Sequence, residues 1–248
     1  MRKAVVLGGT KGIGRATARQ LAQRGDAVFL LGRDGADLAA SARDLELRAG
    51  RPVGSIGTAA CDLEKPEGFA AALDAADAAL GRFDTVVVTA ALFATQDRLE
   101  ADPDFARRLL TANFANTVVL CEDVRRRLLA RGGGTLCVLS SVAGERGRKP
   151  VVIYGAAKAG LTRYMEGLDH RFHDKGLRAI CVKPGFVRTG MTAELKAPPF
   201  AGEPDAVARD VVRAIDRGAP VVYTPGIWRW IMLVIRTLPR LVMRRIGF

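Results

Sequence analysis

The chain has 248 residues, 49% of them apolar and 26% charged, which suits a folded domain with a large core and excludes a disordered or fibrous protein. Lys and Arg outnumber Asp and Glu by 38 to 26, a net charge of +12 that favours an anionic partner without choosing one. No nucleic-acid recognition motif accompanies that charge, so nucleic acid is not expected as a partner.

The N-terminus, MRKAVVLGGT, lacks the layout of a signal peptide, and a cytoplasmic protein is expected. AVVLG (4–8) reads as a first strand, and GGTKGIG (8–14) leads it into the helical pattern IGRATARQLAQR (13–24). Glycines at such a junction permit a tight turn and close backbone approach. The helix N-terminus then offers N–H donors and a positive dipole to a pyrophosphate. Gly8, Gly12 and Gly14, with Thr10, Lys11 and Ile13 between them, are therefore candidate dinucleotide contacts.

AVFLLG (27–32) is the second strand, and Arg33 follows where a carboxylate would select NAD. With Lys11 it places two cations where a 2′-phosphate would sit, which points to NADP(H). Asp34, one position further on, is the alternative reading as an NAD-selecting acid. SIGTAAC (55–61) is a third strand, after which Asp62 and Leu63 are placed for the adenine edge. TVVVTA (85–90) is a fourth, with Ala90 and Ala91 available for backbone approach to a ribose.

FARRLLTANFANTVVLCEDVRRRLLA (105–130) reads as one helical pattern, TLCVLS (135–140) as a fifth strand and YGAAKAGLTRYMEGLDHRF (154–172) as another helix. Tyr154 and Lys158 stand at i and i+4, on one helix face. A phenol of pKa near ~10 relays protons poorly at neutral pH unless a cation favours its phenolate form. Lys158 supplies that cation. Ser141 would then bind a substrate carbonyl while Tyr154 protonates its oxygen.

RAICVKP (178–184) and VVYT (221–224) complete seven apolar runs that alternate with helices, the pattern of a parallel sheet buried on both faces. The expected fold is α/β, a doubly wound Rossmann-type domain with a seven-stranded parallel sheet over residues 1–226 and a basic amphipathic appendage over 227–248. Between the last two strands, GMTAELKAPPFAG (190–202) reads as an apolar lid. The four cysteines lack metal-ligand spacing and read as buried thiols. His170 and His173 have no third ligand in the sequence, so no metal is expected.

The stretch GIWRWIMLVIRTLPRLVMRR (226–245), which makes up most of the appendage, carries both tryptophans, five arginines and no acid. Arg236 near its middle opposes a membrane span, since an arginine at the bilayer centre costs about 2.5–3.5 kcal/mol on insertion scales. At about 100° per residue, Arg229, Arg236, Arg240 and Arg244 cluster on one side and Trp230, Ile231, Val234, Ile235, Leu238, Leu241 and Val242 on the other. Pro239 is expected to kink or split the helix. A helix lying in an anionic membrane interface fits this pattern, and so does packing against a second copy.

These motifs resemble the short-chain dehydrogenase/reductase family over roughly residues 3–224. GGTKGIGRA is similar to its cofactor loop, SSVAG to its serine segment, YGAAKAG to its Tyr/Lys helix and PGFVRTGM (184–191) to the loop that closes on the nicotinamide. The resemblance implies an NADP(H)-dependent oxidoreductase with catalytic Asn113, Ser141, Tyr154 and Lys158, Asn113 holding a water that links Lys158 to solvent. It adds Pro184, Gly185, Val187 and Thr189 to the cofactor contacts and a homodimer or homotetramer paired through the two long helices. One motif departs: VTAAL (88–92) replaces the usual NNAG, so the asparagine that steadies the central sheet is absent.

SSVAGERGRKP (140–150) would put a basic rim of Arg146, Arg148 and Lys149 at the mouth of the site, and Met191 and Leu195 of the lid would face the substrate. These stretches and the tail are similar to one subgroup, the decaprenylphosphoryl 2-keto-pentose reductases. That likeness implies ketone reduction on a lipid-linked substrate at the inner face of the cell membrane. Reduction of soluble ketones or 3-oxoacyl thioesters, with the tail oligomerising, is the alternative, and an NADP sensor without turnover is a third reading.

Overall fold

A computed structural model of the protein describes residues 1–246. Its seven parallel strands are β1 (Lys3–Leu7), β2 (Ala27–Gly32), β3 (Gly57–Ala60), β4 (Thr85–Val88), β5 (Gly134–Leu139), β6 (Leu177–Pro184) and β7 (Val221–Thr224). Their order is β3-β2-β1-β4-β5-β6-β7, so the winding reverses between β1 and β4. In such sheets the crevice at the carboxyl ends of the two strands flanking the reversal receives the ligand.

Helices cover both faces. On one side lie α1 (Gly12–Gln23), α2 (Gly35–Arg48) and, later in the chain, the helix Pro204–Arg217; the core there includes Leu21, Leu38, Leu45 and Val211. On the other, α3 (Phe69–Leu80) joins the long helices near residues 117–129 and 152–172 over Leu73, Val124, Leu128 and Met165. Burial on both faces explains strands that are apolar throughout, such as β4, in which all four residues are buried. The doubly wound α/β fold read from the alternation of runs is the observed one.

The pattern over 105–130 differs from a single helix. After the short α4 (Gln96–Ala101), it resolves into α5 (Pro103–Leu110), a π-helical segment (Thr111–Asn116) and α6 (Thr117–Leu129). The widened turn carries Asn113, whose side chain is fully buried. Its amide donates to Leu92 O and accepts from Leu92 N, both at 2.7 Å. The helical period alone does not register this, because the cause is a tertiary pairing with the strand-four loop.

After α7 (Val152–Phe172) and α8 (Pro204–Arg217), the chain ends in α9 (Ile227–Thr237) and α10 (Arg240–Arg245). Pro239 splits the two, with Leu238 and Pro239 both extended. Gly247 and Phe248, part of the appendage defined from the sequence, lie outside the described residues. The apolar stripe expected on this segment does not stay together. Ile235 is buried with Met232 against Val142, whereas Trp230 and Val234 are exposed. The domain packs on the line Trp228, Met232, Ile235 and leaves a second apolar face outward. Among the described residues no helix is long and apolar enough to cross a membrane.

Candidate active site

The carboxyl ends of the central strands open into a cleft of about 580 Å³. Gly8 turns the chain off β1 in the left-handed region (φ +86°), and a Cβ there would lie 2.6 Å from Thr89 Oγ1 and 2.8 Å from Ala90 N. A side chain at Gly14 would collide with Gly8 O, so the first turn of α1 sits directly on the loop. No side chain among the described residues caps α1. Its first amides are left for an anion, the arrangement that binds a pyrophosphate.

Thr89 answers the missing asparagine. Its hydroxyl donates to Leu7 O at 2.8 Å and its N–H donates to the same oxygen at 2.9 Å, tying the end of β4 to the end of β1. The central sheet is thus steadied by a shorter side chain.

At the far end of the cradle, Asp34 does not face the cleft. It is the N-cap of α2 and accepts from Asp37 N at 2.9 Å, as a helix-capping aspartate does. Lys11 reaches Asp37 at 2.7 Å in an exposed pair, and Arg33 lies exposed along the cleft. Asp62 and Leu63 line the same end, where Leu63 O accepts from Asn116 Nδ2 at 2.6 Å.

Ser141, Tyr154 and Lys158 meet across the other half of the cleft. Ser141 follows β5 in extended conformation, and its hydroxyl accepts from Ala143 N at 3.1 Å. Lys158 is 3% exposed and donates from Nζ to Leu139 O at 2.9 Å. Its Nζ lies 5.8 Å from the centre of the Tyr154 ring, which Phe93 meets edge-on at 5.1 Å. Burial pushes the Tyr154 phenol up to about 12, opposed by a hydrogen bond with Ser141, and pushes the Lys158 ammonium down to about 8.

Gly8, Thr10, Lys11, Gly12, Ile13 and Gly14 all line the cleft with Arg33, Asp62, Leu63, Ala90 and Ala91. So do Pro184, Gly185, Val187 and Thr189, and of the expected substrate residues Met191 and Leu195. Asn113, Arg146 and Lys149 do not line it. Asn113 turns its amide to Leu92, and Arg146 points away to donate from Nη2 to Leu238 O at 2.9 Å, holding the C-terminal segment. Arg148 of the same expected rim does line the cleft.

Trp228 is one of several lining residues that the sequence reading did not name, and the one that α9 contributes. Its indole packs on Gly185 so closely that no side chain fits there, and its Nε1 donates to Phe200 O at 3.3 Å. Trp228 falls among the apolar residues of a tail that seemed to begin after the domain was complete, and no local signal distinguishes it from them.

A doubly wound sheet with a glycine cradle at its reversal and a serine, a tyrosine and a lysine gathered beside it defines a nicotinamide-dinucleotide oxidoreductase. The family model described as short chain dehydrogenase matches residues 2–199. An uncharacterized oxidoreductase of Mycobacterium tuberculosis is 33% identical over 241 residues, covering 97% of this chain and 95% of the relative. Another, from Streptomyces coelicolor, is 35% identical over 249 residues, covering 99% and 96%. A variant of the actinorhodin polyketide ketoreductase crystallised with NADPH superposes with a TM-score of 0.79 at 22% identity, covering 89% of this chain and 94% of that one, a likeness of fold. The chain belongs to the short-chain dehydrogenase/reductase family and is an oxidoreductase of that family.

Proposed function

We propose that the protein is an NADPH-dependent reductase that converts a ketone to a secondary alcohol on a lipid-linked substrate at an anionic membrane surface. The cradle fits the dinucleotide: Gly8, Gly12 and Gly14 leave room for backbone approach, and the uncapped first turn of α1 would hold the pyrophosphate. Arg33 and Lys11 favour a 2′-phosphate, since Asp34 is spent on capping α2. Asp62, Leu63, Ala90 and Ala91 would hold the adenosine, and Pro184, Gly185, Val187 and Thr189 the nicotinamide half. When bound, the cofactor supplies a hydride to the carbonyl carbon.

The chain's own residues then handle the oxygen. Ser141 donates its hydroxyl proton in a hydrogen bond to the carbonyl, and Tyr154 gives up its phenolic proton as the alkoxide develops. The Lys158 ammonium offsets the cost of the phenolate inside a buried site. Asn113 would act through its backbone, because both ends of its side-chain amide are engaged by Leu92.

The observation that carries the substrate reading is α9. One of its faces reaches the cleft wall at Trp228, while Trp230, Leu233 and Val234 are exposed beside Arg229 and Arg236. Leu241, Val242, Arg240, Arg244 and Arg245 continue this exposed surface on α10, and no acid occurs from 226 to 246. A basic, tryptophan-bearing helix of this kind binds the interface of an anionic bilayer with its apolar face inward. The apolar lid residues Met191 and Leu195 suit a polyprenyl chain, and a decaprenylphosphoryl 2-keto-pentose is the particular substrate we infer. Association as a homodimer or homotetramer through α6 and α7, on the inner face of the cell membrane, completes the reading.

The test follows NADPH oxidation by the enzyme with a lipid extract and identifies the product by mass. Cosedimentation with vesicles of anionic phospholipid accompanies it, comparing the wild type with Trp230→Ser/Leu233→Ser. Loss of vesicle binding in the double variant is expected. Unchanged binding, or a change in oligomeric state without one in binding, would assign the exposed face to a second copy and the activity to soluble ketones or 3-oxoacyl thioesters.

A further inference from the structure

Glu145 is a buried carboxylate that the chemistry above does not use. Its side chain is 5% exposed, and three elements converge on it. Lys183 of β6, itself 8% exposed, places Nζ 2.7 Å from Oε1. Tyr223 of β7 donates its hydroxyl proton to Oε2 at 2.9 Å, and Arg236 of α9 approaches the same oxygen at 3.3 Å. Lys183 and Tyr223 are register partners in the sheet, so the carboxylate bridges neighbouring strands to the C-terminal helix. Burial pushes the Glu145 carboxyl upward, but Lys183, Tyr223 and Arg236 together hold it below the usual carboxylate value.

Glu145 also ends the turn that begins with Ser141. Gly144 N donates to Ser141 O at 3.1 Å, and Glu145 N donates to Val142 O at 3.2 Å. This turn is pressed backbone to backbone on α7. A Cβ at Gly144 would lie 2.7 Å from Ala159 N and from Lys158 C, and one at Gly155 would lie 2.8 Å from Ala143 O. The piece of chain that carries Ser141 is therefore held on one side by the helix of Tyr154 and Lys158. On the other side it is held by the Glu145 cluster. Two further contacts bring α9 into the same unit: Val142 packs on Met232 and Ile235, and Arg146 donates to Leu238 O at 2.9 Å. An apolar group of similar volume commonly serves stability as well as a buried ion pair does, so a pair at this position points to placement of the turn.

We propose that Glu145 is a positioning residue for Ser141. By binding Lys183, Tyr223 and Arg236 at once, it fixes the 141–145 turn against α7 and makes the placement of the serine depend on how α9 is seated. This rests on the reductase reading for the role of Ser141, but not for the mechanics of the turn.

Two readouts test it, NADPH-dependent reduction of phenanthrenequinone and amide hydrogen exchange at Ala143, Gly144 and Glu145. Glu145→Gln should lower kcat at least about tenfold, with KM within threefold and the NADPH dissociation constant within twofold of wild type. Exchange at the three amides should rise about tenfold. Arg236→Ala, on the surface, should cause a smaller fall of the same kind and add nothing on top of Glu145→Gln, since both act through one contact. Glu145→Gln/Lys183→Met removes the charges together and avoids an uncompensated buried lysine. It should regain the wild-type unfolding midpoint yet keep the low kcat and fast exchange. Native turnover and native exchange in that double variant, or strict additivity of Arg236→Ala with Glu145→Gln, would overturn the proposal. Should the wild-type protein leave NADPH unoxidised with both the quinone and the lipid extract, the reductase reading is what fails, and the exchange comparison still decides the role of Glu145.

Discussion

Tyr154 and Lys158 are shifted by the same burial in opposite senses, the phenol up to about 12 and the ammonium down to about 8. Without its charged neighbour the phenol is a poor acid, so in the proposed mechanism the pair would work only while Lys158 keeps its proton. The kcat/KM for NADPH, which reports groups of the free enzyme, should therefore fall on the alkaline side, with a midpoint near pH 8. A profile flat to about pH 9.5 would separate Lys158 from the rate. Tyr154→Phe should lower kcat by about 10²–10⁴-fold and leave NADPH binding nearly unchanged, as measured by cofactor fluorescence titration. At the other end of the cleft, Arg33→Ala should weaken NADPH and spare NADH. An equal loss for both cofactors would show that Arg33 does not read the 2′-phosphate.

At the scale of elements, the strands and the glycine loop were legible because their signals are local. An apolar run between turn residues, or three glycines before a helix, is complete within a few positions. Tyr154 and Lys158 were legible for the same reason, since four residues of helix place both on one face. Asn113 and Arg146 were legible only as positions. Where their side chains point depends on Leu92 and Leu238, which lie 21 and 92 residues away. The C-terminal helix shows the limit most clearly. Its sequence has an apolar side and a basic side, yet the domain takes up the Trp228, Met232, Ile235 line and leaves Trp230 and Val234 outside. Met232 is fully buried, so Met232→Ala should cost about 2–5 kcal/mol in urea unfolding, the range for truncating a core side chain. A loss under about 0.5 kcal/mol, the usual size of a surface change, would mean that α9 is only loosely seated.

Over the whole molecule, the charge of +12 is unevenly placed. Much of the domain's basic charge is answered by acids nearby, as where Arg127 and Arg131 share Asp77 between α3 and α6, or where Arg2 and Arg24 share Asp216. The segment from 226 to 246 has no acid of its own, and Glu145 is paired with Arg236 alone among its five arginines. An attraction built this way is long-ranged at low ionic strength and weakens as the screening length falls to about 3 Å near 1 M salt. Binding to anionic vesicles should therefore decline steeply with added salt, leaving a residual part set by Trp230 and its apolar neighbours. Binding that ignores salt, measured by cosedimentation, would remove the arginines from that role.

Because every strand runs the same way, the two ends of the sheet are different places. Met1 is almost fully exposed and precedes β1, at the end opposite the cleft, whereas α9 reaches the cleft wall with Trp228. An affinity tag or fluorescent protein joined at Met1 would hang from the quiet pole of the molecule. The same cargo joined to the C-terminal segment would load the element that carries Trp228, and a handle placed there for convenience should change the kinetics it was meant to help measure.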